Sequence, residues 1–323
     1  MELNGFINKG TDDLIVKSLD KTKLVQKEIT VQTKHGTHTR KQWVRASEEP
    51  KASESPRTPV MSDEEFKKSR PNLNWPERIN ATTEEWDFAD KAVEEYRKSQ
   101  KFSIPTEYVQ KYKGVTPETY CQLKMESLPE GTDDGLREEY LKAIAAEPEI
   151  TKVVQSVVAE TGGQLFGTDF RIKEGDSFVR KMQKTAKQTG KTPQECAQAN
   201  TDTVRYTNLS SAENLVSDYH KMTKALIDAG NKPVIVHNLW QEPHLGMNCI
   251  ECVFEHPSGQ KFEIWFHTPE TKHVQDHGGH RYYEAFRVMD DKEQASKIEQ
   301  VCYQMYYSCP IPKGIEDIKD FRR

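Results

Sequence analysis

Arg171, Lys173, Ser177, Arg180 and Lys181 crowd one short stretch of the chain, R-I-K-E-G-D-S-F-V-R-K-M. On a helix starting near Asp176, Ser177, Arg180 and Lys181 fall at i, i+3 and i+4 and share a face. Arg171 and Lys173 stand just before that helix. Open N–H groups at a helix N-terminus, with cations converging on it, suit a polyphosphate. The same charges also suit the solvated face of an amphipathic helix. Two carboxylates, Asp202 and Glu263, lie at predicted strands. Mg²⁺ is usually held by one or two carboxylates together with substrate phosphates. Two strand carboxylates facing a basic helix therefore suit Mg²⁺ and a nucleoside triphosphate together. Glu263, between Phe262 and Ile264, also suits an edge strand with its acid facing solvent.

Two further groupings are weaker. His273, His277 and His280 repeat at i, i+4 and i+7, but Gly278-Gly279 interrupts the helix that would align them. Cys249 and Cys252 form a single C-x-x-C without a second pair. Three residues apart on a strand they point to opposite faces, which reads as buried cysteines.

Several elements must position these groups. Residues 24–45 read as a β-hairpin turning at His35-Gly36-Thr37. Residues 47–64, rich in Ser, Pro, Glu and Lys, read as a linker. Residues 82–100 carry a Thr82–Glu85 capping box and an apolar stripe, Trp86, Ala89, Val93 and Tyr96, and predict a helix with a core-facing side. Residues 104–129 are broken into short pieces by Pro and Gly. Residues 136–160 predict one or two helices interrupted near Pro148 and closed by Gly162-Gly163. Beyond them the pattern predicts a helix at 176–187, a strand at 203–207, a helix at 211–229 and a strand at 233–239. A hairpin of 248–254 with 261–267 follows, then helices at 270–289 and 292–307.

Composition sets the frame. The 323 residues are 35% hydrophobic and 30% charged, with a mean hydropathy of -0.84. Even with its 17 glycines counted as apolar, the chain falls short of the ~45–50% usual for globular domains. The deficit is expected in residues 1 to about 130. No apolar run approaches the ~18 residues of a membrane span, and the first twenty residues lack the apolar stretch of a signal peptide. A net charge of -5 argues against a global nucleic-acid footprint. Six cysteines make no disulfide scaffold and fit a reducing cytoplasm.

Four stretches, taken in order, resemble the RelA/SpoT-type (p)ppGpp (alarmone) synthetases, and most of all the short toxin-like members found in phage-associated and polymorphic-toxin proteins. Arg171 to Met182 matches the pattern R-x-K-x-x-x-S-x-x-K-K-M without a gap, with Arg180 at the first of its two lysines. Asp202-Thr203-Val204-Arg205-Tyr206-Thr207 resembles the toxin-like D-x-x-R-Y-T strand. Gly246-Met247-Asn248 with the run from Ser258 to Thr271 resembles G-x-N…G-x-x-F-E-x-Q-F-H-T-P-E-S, with Trp265 in place of the glutamine. His280 to Arg287 resembles H-x-x-Y-E-x-x-R.

The residue patterns themselves divide the chain into a β-hairpin and linker (1–62), a helical region (63–150), an α/β-patterned domain (151–313) and a tail (314–323). For the domain at 151–313 the resemblance implies an α+β fold, a small mixed β-sheet flanked by helices in the nucleotidyltransferase-like synthetase manner. It implies transfer of pyrophosphate from ATP to the 3′-hydroxyl of a nucleotide or of tRNA, by a toxin or phage-associated effector. Arg171, Lys173, Ser177, Arg180 and Lys181 would hold ATP, and Asp202 and Glu263 would hold Mg²⁺. Glu263 would also deprotonate or orient the attacking hydroxyl. His244, in the place of an acceptor-stacking tyrosine, would join Arg205, His280 and Tyr283 around the substrates. An antitoxin or immunity protein, or a phage particle, is the expected partner, with no membrane and a cytoplasmic or virion-associated location. A second reading stays open, a catalytically inactive phage structural or interaction protein that keeps the fold. An ADP-ribosyltransferase would need a Ser-Thr-Ser strand and a late E-x-E or Q-x-E, and no convincing set of that kind is found.

Overall fold

The computed structural model describes residues 57–69, 74–99 and 111–323 in full, and residues 24–33 and 36–45 by their backbone pairing. The predicted linker (mostly), the hairpin turn at His35 and the start of the 104–129 stretch lie outside these residues. Two compact units form, Met1–Thr58 and Pro59–Arg323. In the first, β1 (Leu24–Thr33) and β2 (Gly36–Arg45) pair antiparallel along their whole length, from Leu24 opposite Arg45 to Thr33 opposite Gly36.

The second unit is built on one mixed six-stranded sheet. Its strands are β3 (Gln164–Phe166), β4 (Val204–Leu209), β5 (Lys232–Asn238), β6 (Ile250–Glu255), β7 (Lys261–His267) and β8 (Phe321–Arg322), in the order β3-β4-β7-β6-β5-β8. β4 and β7 run parallel, and every other neighbouring pair is antiparallel. The α+β class and the mixed sheet expected from the sequence are thus present.

Period-two alternation gives this sheet two unlike faces. Val204 and Tyr206, Phe262, Ile264 and Phe266, Ile250, Cys252 and Phe254, and Val236 all belong to one buried cluster. Helices α4 (Asp134–Thr161) and α7 (Leu215–Asp228) cover that face with Ile150, Val154, Leu215 and Met222. The alternate positions form a row across the other face: Arg205 pairs with Glu263, Glu263 with Val253, Val253 with Ile235, and Ile235 with Arg322.

Helix α4 runs unbroken through Pro148, where the sequence predicts an interruption. Proline removes one helical hydrogen bond and crowds the preceding turn, at about 3 kcal/mol. Tyr140 and Ile144 lie buried before it and Ile150 and Val154 after it, in two different clusters. Packing on both sides holds the helix straight through.

The remaining helices are α1 (Asp63–Ser69), α2 (Thr83–Ser99), α3 (Pro117–Glu126), α5 (Gly175–Thr189), α6 (Pro193–Ala199), α8 (Pro269–Val274), α9 (His280–Phe286) and α10 (Lys292–Tyr306). The predicted helix at 270–289 is therefore two helices, with a π turn at Gln275–Gly279 between them. Trp86, Ala89 and Val93 of α2 are buried against Tyr282, Ala285, Ile298 and Val301 of α9 and α10, so the apolar stripe does face a core. Tyr112, Tyr120, Tyr140, Ile144, Phe178 and Met182 make a further cluster that joins α3, α4 and α5.

Candidate active site

Asp202 immediately precedes Thr203 and β4, and Glu263 is the third residue of β7. The parallel register sets Glu263 beside Arg205. Helix α5 brings the cations. The Lys173 ammonium, just before α5, donates to Asp202 Oδ2, and Lys181 Nζ reaches the same oxygen at 2.8 Å. Backbone pairing fixes this meeting, because Lys173 N donates to Thr203 O and Arg205 N to Arg171 O. Asp202 Oδ1 is buried and without a hydrogen-bond partner.

Glu263 is 5% exposed. Its Oε1 accepts from Thr201 Oγ1 at 3.3 Å and its Oε2 from the Trp265 indole N–H at 3.1 Å. Burial raises its pKa to about 7, and the nearby charges of Asp202 and Glu251 add to the rise. Asp202 is displaced the other way. Burial alone would raise it, but Lys173 and Lys181 together hold it below the ordinary carboxylate range. Lys173 itself is lowered to about 8, chiefly by burial, with Arg205 and Lys181 adding to the effect against the pull of Asp202. The site thus offers a carboxyl near neutrality beside a permanently ionised one.

The other residues singled out by the sequence distribute around this centre. Arg180 donates to Ser177 Oγ at 3.1 Å at the exposed rim of α5. Arg171 turns elsewhere. Its Nε donates to Glu147 at 2.5 Å, and its guanidinium lies 3.7 Å from the centre of the Tyr120 ring. The N-terminus of α5 is less open than expected. Gly175 N donates to Ser127 Oγ at 2.7 Å, and Ser177 N to Asp176 Oδ1 at 2.5 Å. His280 stacks with Tyr283 on α9, ring centres 6.2 Å apart. Glu284 of the same helix accepts from Tyr96 at 2.6 Å and pairs with Arg287 at 2.7 Å. Lys184 of α5 donates to Arg287 O at 3.1 Å, which ties α5 to α9. His244 is exposed on the 239–249 loop. Lys173, Lys181, Asp202, Glu263 and Arg205 are therefore gathered at one place, whereas Arg171 and His244 are not.

No protein-family model matches the chain, and no curated protein matches it. Solved structures resemble it loosely. The Type VI effector Tas1, solved in complex with its immunity protein, is 22% identical over 54% of this chain and 95% of its own, with a TM-score of 0.38. The small alarmone synthetase 1 from Bacillus subtilis, bound to its product pppGpp, is 13% identical over 53% and 90%, with a TM-score of 0.37. The small alarmone synthetase 2 from Bacillus subtilis is 16% identical over 53% and 91%, with a TM-score of 0.36. Likenesses this loose leave the chemistry to be read from the side chains.

Those side chains fit a divalent cation that also binds phosphate. Asp202 Oδ1 is a buried, unpartnered acceptor, and the Glu263 carboxyl is close enough to feel the charge of Asp202. Among the described residues no three His, Cys, Asp or Glu side chains converge as a closed metal cage. Mg²⁺ needs none, since it keeps water and phosphate in much of its coordination sphere.

Sequence reasoning missed part of the polar face. His237 Nδ1 lies 3.2 Å from Glu251 Oε2, and these two residues are register partners next to Trp265. The signal was available, since Glu251 alternates with the apolar Ile250 and Cys252 and must share the face of Glu263. Thr201 and the Trp265 indole, which bond Glu263, had no motif to mark their role as donors. Among the described residues, no helix is long and apolar enough to cross a membrane.

Proposed function

We propose that this protein transfers pyrophosphate from ATP to the 3′-hydroxyl of a nucleotide or of a tRNA end, with Mg²⁺, and acts as a toxin-like effector. One observation carries the reading: a buried carboxyl poised near neutrality, Glu263, adjoins an ionised one, Asp202, which two lysines of an ATP-binding-like motif engage.

The 3′-oxygen attacks the β-phosphorus of ATP. The new O–P bond forms as the bond from that phosphorus to the α–β bridging oxygen breaks, and AMP leaves. Glu263 accepts the hydroxyl proton at a carboxylate oxygen, which a base near the working pH does well. Lys173 and Lys181 hold and neutralise the phosphates, and Arg180 and Ser177 extend that grip along α5. Asp202 and Glu263 would hold Mg²⁺, which when bound neutralises charge on the transferred group. Arg205, beside Glu263, orients the acceptor or the ATP base, with His280 and Tyr283 at the flank. An immunity or antitoxin protein is the matching partner.

The test uses the full chain with ATP labelled in its terminal phosphates, Mg²⁺, and GDP, GTP, ADP or tRNA. Label should move to an acceptor, and Glu263→Gln or removal of Mg²⁺ by chelation should stop it. The diverted Arg171 favours a second reading, a scaffold that keeps the fold without turnover. Absence of label on every acceptor, together with absent ATP binding, would overturn the transfer reading in favour of the scaffold.

A further inference from the structure

Helix α9 carries His280 and Tyr283 on the flank of the candidate site, yet it has only seven residues and follows a π turn. A helix that short does not hold itself, so its neighbours must fix it. Helix α2, far earlier in the chain, supplies three contacts along its length. Near its start the Trp86 ring meets Tyr282 edge to face, ring centres 6.1 Å apart. One turn on, Asp90 Oδ1 accepts from the Tyr282 hydroxyl at 2.6 Å. In its last turn the Tyr96 hydroxyl donates to Glu284 Oε2, also at 2.6 Å. A hydroxyl bonded to a carboxylate at this length is among the strong hydrogen bonds.

Glu284 passes this grip on to the site. Its Oε2 also pairs with Arg287 Nη2 at 2.7 Å, and the Arg287 guanidinium lies 5.9 Å from the centre of the Tyr283 ring. Its Oε1 lies 3.7 Å from His280 Nε2. Tyr96 and Arg287 thus hold one oxygen of Glu284 and keep the other short of His280. Desolvation lowers the His280 pKa most, and Arg287, Arg205 of β4 and Lys272 of α8 add to the effect, against the pull of Glu284. His280 is therefore near enough to feel Arg205, the register partner of Glu263.

We propose that Tyr96 is a positioning residue of the site: its hydroxyl anchors Glu284, and through Glu284 and Arg287 it sets where His280 and Tyr283 stand against the substrates. Helix α2 would then complete a site whose other groups all lie beyond residue 170. The kinetic consequence rests on the pyrophosphate-transfer reading, whereas the link from Tyr96 to His280 does not.

Two variants of the full chain test it. Tyr96→Phe removes the hydroxyl and keeps the ring. Asp90→Asn weakens the neighbouring contact at Tyr282 without touching Glu284, and thermal melting checks that both stay folded. NMR of the His280 ring protons reads the link directly. Released by Tyr96, Glu284 closes on His280, so Tyr96→Phe should move the His280 titration to higher pH, and Asp90→Asn should leave it in place. Arg287, Arg205 and Lys272 are unchanged in both. In the transfer assay Tyr96→Phe should raise the KM for ATP or for the acceptor at least ~fivefold, with kcat within about twofold, and Asp90→Asn should raise neither. An unmoved His280 in Tyr96→Phe, or an equal shift in Asp90→Asn, would make the contact merely structural and overturn the proposal. So would an active Tyr96→Phe enzyme with both KM values unchanged. If wild type moves no label, the transfer reading falls alone, and the His280 titration still decides whether Tyr96 sets His280.

Discussion

Asp202 and Glu263 divide the site's cations unequally: Asp202 takes both Lys173 and Lys181, and Glu263 forms no salt bridge among the described residues. Glu263 is left with neutral donors, Thr201 and Trp265, in a buried setting that raises its pKa to about 7. Mg²⁺ held by the two carboxylates would put positive charge beside Glu263 and lower that value, so the pH at which transfer rises should fall as Mg²⁺ is added. Glu263→Gln should reduce the rate at least ~100-fold and erase the rise. Initial rates from acid to neutral pH at low and at saturating Mg²⁺ check both outcomes. A profile that neither rises with pH nor moves with Mg²⁺ would remove Glu263 from the role of base.

The same carboxyl links to stability with a definite sign. Its folded value, about 7, lies above the ordinary 4.5, so the folded chain holds that proton more tightly than the unfolded one. The contribution is fully present below about pH 4.5 and is lost as pH rises through 7. Gln cannot ionise. Glu263→Gln should therefore be close to neutral for stability at pH 5 and stabilising by on the order of 2 kcal/mol at pH 8. Urea denaturation of both proteins at the two pH values measures the difference, and an equal gap at both would contradict the raised value.

Arg171 and Arg180 belong to one motif but stand in different environments. Arg171 neutralises Glu147, which is 1% exposed and also bonded by Thr151. Removing one partner of a buried pair leaves an uncompensated charge, so Arg171→Ala should destabilise the fold by about 3 kcal/mol. Arg180 lies at the exposed rim. Arg180→Ala should change stability by less than about 0.5 kcal/mol and should weaken ATP binding. Denaturation midpoints and ATP titrations on both variants separate the roles.

This contrast marks how far the sequence could be read. The alternation of Val204, Arg205 and Tyr206, and of Phe262, Glu263 and Ile264, was enough to place strands and to give each a polar and an apolar side. The spacing of Lys173 and Lys181 was enough to aim them together, and they meet at Asp202. What diverted Arg171 was Glu147, on a helix that precedes it by 24 positions, and the ring of Tyr120, on another. Such a partner is chosen by how α3 and α4 pack, which no local pattern records. Pro148 shows the same limit: a local helix breaker was outweighed by Ile144, Ile150 and Val154, each buried in a core. Lys191 and Arg322 are far apart along the chain and line one cavity only because β8 pairs with β5.

Gly246 offers a test of how the His244 loop is held. Leu245 and Gly246 both have positive φ, 51° and 70°. A Cβ on Gly246 would come within 2.7 Å of Cys302 O and of Tyr303 Cα, backbone atoms of α10. Gly259, in the β6–β7 turn, has φ of 85° but nothing within 4 Å of the same added atom. Gly259→Ala should therefore register backbone strain alone, about 1 kcal/mol. Gly246→Ala adds a clash that only movement of the loop or of α10 relieves, and should lose about 3 kcal/mol or more. Thermal melts of the two variants side by side decide it. Equal losses in both would mean that the loop yields to the added methyl without disturbing α10.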